Sequence, residues 1–313
     1  MAPLKRFFPV IAAVLVIGGI VLPVAVTSNA AEPVIRGVSV VPDEEKRSTI
    51  QEVDGYAYLS EDKTLAQTRQ AALITAKRQA LEQARTYISS RTRVENFEIT
   101  DDVIEGESVG AVTVLEQKDL GIEDNNRYHV WIKAEVEYGL TAPATQRKDQ
   151  ATTPVMAADG PLTVKVWTSR KHYRDGEEIE IFIQGNRDFY ARIVDITSSG
   201  DIIQLLPNSY RQQTQFNGGQ VYRIPDAEDR FNLKVSPPYG EDQIVVYASD
   251  KPLGEVALEP SGGGLNAYRG SRASLDVSTR GIQVTGAPGG AGLTDGPSGA
   301  EFYEGVWKIT SGP

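Results

Sequence analysis

Hydrophobic and polar positions alternate most clearly between Tyr128 and Tyr138. Tyr128, Val130, Ile132, Ala134, Val136 and Tyr138 share one face of a predicted strand, and His129, Trp131, Lys133, Glu135 and Glu137 share the other. Val53 to Leu59, Val94 to Ile99 and Ala111 to Leu115 carry weaker strand patterns. Between the first two, Thr64 to Ile88 keeps a helical period. Leu65, Ala72, Ala76, Ala80, Ala84 and Ile88 fall on one stripe, widened by Leu73, Leu81 and Tyr87. Because that stripe is mostly alanine, the helix can press closely onto strands rather than form a bundle seam. Thr64 offers an N-cap hydroxyl and Asp124-Asn125-Asn126 a hairpin turn. One helix on about four strands predicts a small α+β domain over residues 50–140.

Residues 141–160 keep no period and read as a linker. Short strands then recur at Leu162 to Thr168, Glu178 to Gln184, Phe189 to Thr197, Asp201 to Leu206, Gln220 to Ile224, Phe231 to Val235 and Gln243 to Ala248. Turn residues such as Asp175-Gly176, Gly185-Asn186 and Asn217-Gly218-Gly219 separate them. The pattern predicts an all-β immunoglobulin-like sandwich over 161–260, with Val164, Val166, Ile179, Ile181, Ile183, Leu233 and Ile244 in its core. Residues 261–300 are rich in Gly, Pro and Ser and read as a low-complexity loop. Phe302, Tyr303, Val306, Trp307 and Ile309 follow, so 301–313 is expected to dock on the sandwich as a final strand.

The first thirty residues read as an export signal. Lys5 and Arg6 precede an uncharged stretch from Phe7 to Val26, and Ser28 and Ala30 occupy the small-residue positions of a cleavage site after Ala30. The alternative is an uncleaved anchor over residues 7–26, the only membrane contact expected. Cleavage would take the formal charge from -10 to -12, since Lys5 and Arg6 are the charged side chains before Glu32. The expected location is the periplasm of a Gram-negative bacterium.

Composition narrows the chemistry. The 313 residues include no cysteine and two histidines, His129 and His172. Disulfides, thiolate metal sites, cysteine nucleophiles and three-histidine metal centres are therefore excluded. An acidic chain with no long basic run is a poor nucleic-acid binder. No metal or other cofactor is expected.

Catalytic constellations fare poorly against their structural readings. Ser60-Glu61-Asp62-Lys63 matches an S-x-x-K string, but no K-T-G follows and the segment reads as a capping turn. No G-x-S-x-G accompanies either histidine. Asp101-Asp102 with Glu105 and Glu107, Glu123-Asp124, Glu177-Glu178, and Asp226 with Glu228 and Asp229 lack the spacing of a calcium loop and read as solvated loops. Trp131 and His129, on the polar face of the long strand, and Trp167, out of phase with Val164 and Val166, are candidate binding residues. Burial under a neighbouring element is the competing account of both tryptophans.

Two resemblances add to this reading. Tyr173-Arg174-Asp175-Gly176-Glu177, Asn186 to Tyr190, and Gly200 to Asn208 with its Leu206-Pro207-Asn208 resemble, over about 161–254, the family called domain of unknown function 4384. The resemblance implies a β-sandwich with no catalytic residues to carry over, and Tyr173, Gly176, Tyr190, Leu206, Pro207 and Asn208 are expected to be structural. Arg280-Gly281-Ile282-Gln283-Val284 matches a later element of the same family, in keeping with a docked tail. The helix, Gly106 to Val112 and the Tyr128 to Tyr138 strand are similar in layout to the N-terminal domain of flagellar assembly protein T and related outer-membrane lipoproteins. That likeness implies envelope assemblies, although the lipidated cysteine of such lipoproteins is absent.

The expected function is an exported, non-catalytic binding or assembly module recognising an envelope protein or glycan. The alternative is a carboxylate-dependent hydrolase acting on an envelope glycan, which needs two acidic side chains facing each other across a cleft.

Overall fold

The computed structural model describes residues 42–92, 98–99, 112–123, 125–141, 158–281 and 299–313. The export signal, Asp101 to Val109, Asp124, most of the expected linker and Ile282 to Val284 lie outside the described residues. The described chain is mostly β, with two helices.

Its dominant element is a large, chiefly antiparallel sheet. The sheet begins with β1 (Glu44–Tyr58), which pairs on one side with β4 (Arg127–Tyr138). β4 in turn pairs with the edge strand β3 (Val112–Glu123). On its other side β1 pairs with the last strand, β18 (Gly299–Gly312), which also pairs with β15 (Glu241–Ser249). The order continues through β10 (Phe189–Ile196), β11 (Ile202–Leu206) and β17 (Leu265–Tyr268) to a second edge at β16 (Glu259–Gly262). The final strand therefore does more than return to its own neighbours: it joins the two halves of the sequence into one sheet.

Helix α1 (Leu65–Thr92) covers β1 and β4 on one face. Thr64 caps it as the sequence predicts: the Gln67 N–H donates to Thr64 Oγ1 at 3.2 Å, and the Thr64 N–H donates to Gln67 Oε1 at 2.8 Å. Ala72, Ala76, Ala80 and Ala84 are completely buried against Val130, Ile132 and Ala134. Any β-carbon on Gly55 of β1 would collide with the backbone of Ala72 and with Ala76, so the small side chains set the helix-to-sheet spacing.

On the same side of the large sheet, a three-stranded sheet of β13 (Val221–Ile224), β9 (Ile181–Gly185) and β6 (Val164–Thr168) shares a core with β10, β15 and β18. Val164, Val166, Ile181 and Ile183 are fully buried there, with Trp307 of β18 donating to Thr168 Oγ1 at 2.9 Å. A second helix, α2 (Arg272–Thr279), packs Leu275 against Ile50, Val245 and Phe302 on the opposite face. It stands inside the stretch expected to be a low-complexity loop. Ser271 caps it, its Oγ accepting from the Ser274 N–H at 3.2 Å, but eight residues with one buried leucine are too short for a visible period.

Candidate functional site

Strand β4 divides its side chains between two environments. The even positions face α1; the odd positions, with their register partners on β1, form an outer face where Tyr56 lies opposite His129, Asp54 opposite Trp131 and Glu52 opposite Lys133. Toward α2 this face is closed: Glu135 and Lys133 are buried. Away from α2 it opens, and Trp131, His129 and Tyr56 are partly exposed, with Tyr58 66% exposed at its tip.

The open part is tightly organised. His129 Nε2 lies 2.6 Å from Asp54 Oδ1 and Nδ1 lies 2.8 Å from Glu123 Oε1. Tyr56 stacks on the imidazole with centroids 4.4 Å apart, and the Arg127 guanidinium caps the tyrosine at 3.8 Å. Arg127, and to a smaller extent His129, hold the Glu123 carboxyl below its usual range. One step along the strand, Lys118 Nζ sits 4.3 Å from the centre of the Trp131 ring. The structure thus brings Trp131 and His129 together on one surface. With both ring nitrogens against carboxylates, His129 offers none to a hydroxyl nucleophile, so a serine triad has no base here.

Trp167 is placed elsewhere. It is 5% exposed, stacked on Phe182 with centroids 5.6 Å apart, and its indole nitrogen has no hydrogen-bond partner among the described residues. The candidate anchor Trp167 is therefore buried rather than exposed. His172 is exposed on the short strand β7 (His172–Arg174), which pairs with β18.

The motif residues mostly hold loops in shape. Tyr173 is buried, and its hydroxyl accepts from the Arg170 N–H. Gly176 turns the chain at φ +73°. Leu206 is buried, and Pro207 offers its carbonyl to Gln204 at 2.7 Å. Asn208 is buried, donating to the Leu205 carbonyl and accepting from the N–H groups of Tyr210 and Arg211. Tyr190 is partly buried on β10 and pairs with Ser249.

Several of the described acidic side chains are paired with arginines. Asp226 and Asp229 share Arg211, and Glu177 accepts from Arg170 and from the Arg174 N–H. Burial, with Asp242 nearby, pushes the Asp195 carboxyl up to about 7. Asp195 Oδ1 is buried and has no hydrogen-bond partner among the described residues. A groove of about 470 Å³ on the solvent side of α1, between residues such as Arg78 and Glu82, is open and lined by one helix alone. No cluster of three or more metal-ligating side chains occurs among the described residues, and no described helix is long and apolar enough to cross a membrane.

Neither edge of the large sheet presents a long flat strand. β3 is interrupted by irregularities at Val114/Glu116 and Asp119/Gly121, and β16 carries Pro260 and an irregularity beside it. Binding by strand addition is disfavoured at both edges, leaving the side-chain surface of β1, β4 and β3 as the candidate site. Tyr56, Asp54, Lys118 and Arg127 were not legible as members of that site, because cross-strand register alone brings them beside Trp131 and His129.

Fold and site together describe a mostly β protein with a two-helix cover and an organised polar-aromatic surface. Residues 172–252 match the family model described as Domain of unknown function (DUF4384), which shows the family resemblance read from the Tyr173, Asn186 and Leu206 motifs. No curated protein and no solved structure matches the chain.

Proposed function

We propose that the protein is an exported, non-catalytic binding or assembly module of the bacterial cell envelope, recognising a protein or glycan partner through the outer face of β1, β4 and β3. The finer architecture we infer is an α+β part, residues 50–140, followed by an immunoglobulin-like sandwich, the two sharing β18. Export rests on the Lys5-Arg6, Phe7 to Val26 and Ser28-Asn29-Ala30 pattern.

The observation that carries the binding role is the partly exposed Trp131, held under Lys118 beside a His129 fixed from both nitrogens. Preorganised aromatic and charged side chains on a shallow surface suit recognition, since little side-chain freedom remains to be lost on association. The hydrolase alternative would need two carboxylates facing each other across a cleft.

Affinity capture from solubilised envelopes tests this reading, using wild type and Trp131→Ala at matched loading. A partner, protein or glycan, retained by wild type and lost with Trp131→Ala supports the role; identical capture by both excludes this surface.

A further inference from the structure

We propose that Asn217 is a covalent modification site, an asparagine that deamidates through attack by its own backbone, and that Asp188 sets the rate. Asn217 is the one asparagine in the sequence that is followed by glycine. Its side chain is exposed and makes no hydrogen bond among the described residues, which leaves the carboxamide carbon open to approach. Packing fixes the glycine that follows: any β-carbon on Gly218 would collide with the backbone of Arg187. The reactive pair is therefore built into the turn between β12 (Gln215–Phe216) and β13.

The chemistry runs through the Gly218 nitrogen. That nitrogen gives up its proton to solvent base and attacks Cγ of Asn217. The N–Cγ bond forms, the Cγ–Nδ2 bond breaks, and the amide nitrogen leaves as ammonia. Water then opens the succinimide at either carbonyl, giving aspartate or isoaspartate with no change in oxidation state. A glycine nitrogen is the least hindered nucleophile for this ring closure, because no β-carbon stands beside it. In the folded protein the nitrogen is engaged: its N–H donates to Asp188 Oδ1 at 2.8 Å. A carboxylate there opposes the first step twice. Its hydrogen bond stabilises the protonated amide, and its negative charge disfavours the amide anion. The backbone is also pinned on both sides of the pair. The Asn217 N–H donates to the Tyr222 hydroxyl at 2.9 Å and the Gly219 N–H to the Gly185 carbonyl at 2.8 Å, and ring closure must rotate the chain between these anchors. An isoaspartate would lengthen the main chain beside Phe216, whose buried ring stacks on Phe189 with centroids 5.3 Å apart. This site does not depend on the outer face of β4, so either proposal can fail without the other.

The test incubates the purified protein at neutral pH, folded and in denaturant, and follows position 217 by peptide mass mapping. Asp188→Ala should convert Asn217 at least about fivefold faster than folded wild type. Asp188→Asn, which keeps an acceptor of the same shape without the charge, should raise the rate by a smaller factor and carries the comparison if alanine loosens the turn. In denaturant all three proteins should convert at one common rate, faster than folded wild type. Equal rates for folded and denatured wild type overturn the proposal. So does a variant at Asp188 that melts like wild type and converts no faster, or the absence of aspartate and isoaspartate at position 217 in the folded variants.

Discussion

Arg280 donates to Glu135 at 2.6 Å across 145 residues of sequence. Its other arm reaches Glu304 of the final strand at 2.9 Å, so a single guanidinium neutralises carboxylates from β4 and β18. All three side chains are buried, and Arg272 supplies a second cation to Glu304. On the opposite face of β18, buried Glu301 pairs with Arg187 and accepts from the Leu162 N–H. The final strand is thus secured on both faces by acidic side chains that would be costly to leave unpaired.

Arg280→Ala should therefore destabilise by about 3–5 kcal/mol, because it takes the nearest cation from buried Glu135 and leaves buried Glu304 with Arg272 alone. Denaturant unfolding measures the loss. Combining Arg280→Met with Glu135→Gln and Glu304→Gln should recover most of it, since the uncompensated charges are then gone; an equally unstable triple variant would contradict the electrostatic account.

Enlarging the alanine stripe should cost packing. Ala76→Leu inserts methylenes where α1 already touches the backbone of β1 at Gly55, and a loss of about 1–3 kcal/mol is expected in thermal or denaturant melts. Gln79→Leu, on the exposed side of the same helix, should change stability by less than about 0.5 kcal/mol.

Asp195 gives a pH signature. Its folded-state carboxyl titrates near 7, above the ordinary value of 3.8, so the folded protein binds a proton that the unfolded chain has released between those pH values. Stability contributed by this group must fall as pH rises through that window, with the full penalty present above about pH 7. Asp195→Asn should be stabilising by about 1–3 kcal/mol at pH 8 relative to its effect at pH 4. Equal effects at both pH values in parallel unfolding curves would contradict the burial argument.

Thr168 holds the indole of Trp307 at the heart of the shared core. Thr168→Val keeps the shape and removes the acceptor, leaving a buried donor unmet at a cost of about 1–3 kcal/mol. Thr168→Ser, which restores the oxygen, should regain more than half of that loss in the same melt.

Much of the fold is legible in the chain. The alanine stripe, the Thr64 cap and the alternation from Tyr128 to Tyr138 each encode their element locally, and all three stand where the pattern puts them. Other features depend on distant partners. Ser48, Thr49 and Gln51 are polar yet fully buried because β18 arrives from the chain end to cover their strand. Strand β1 consequently begins at Glu44, nine residues before its apolar alternation. Trp131 and His129 were visible as candidates because they interrupt a polar face; Lys118 and Tyr56 gave no such signal, since their roles depend on register. Trp167 shows the converse. Its phase placed it outside the small sheet, but phase cannot say what covers that side.

The most direct measurement of the binding role is photo-cross-linking in intact cells from a reactive side chain placed at Lys118, with Lys234, which is exposed on the other part of the chain, as the control position. The account predicts discrete adducts from position 118 that vanish when Trp131→Ala is added, and none of the same species from position 234. Identical adducts from both positions, or none from position 118, would contradict it.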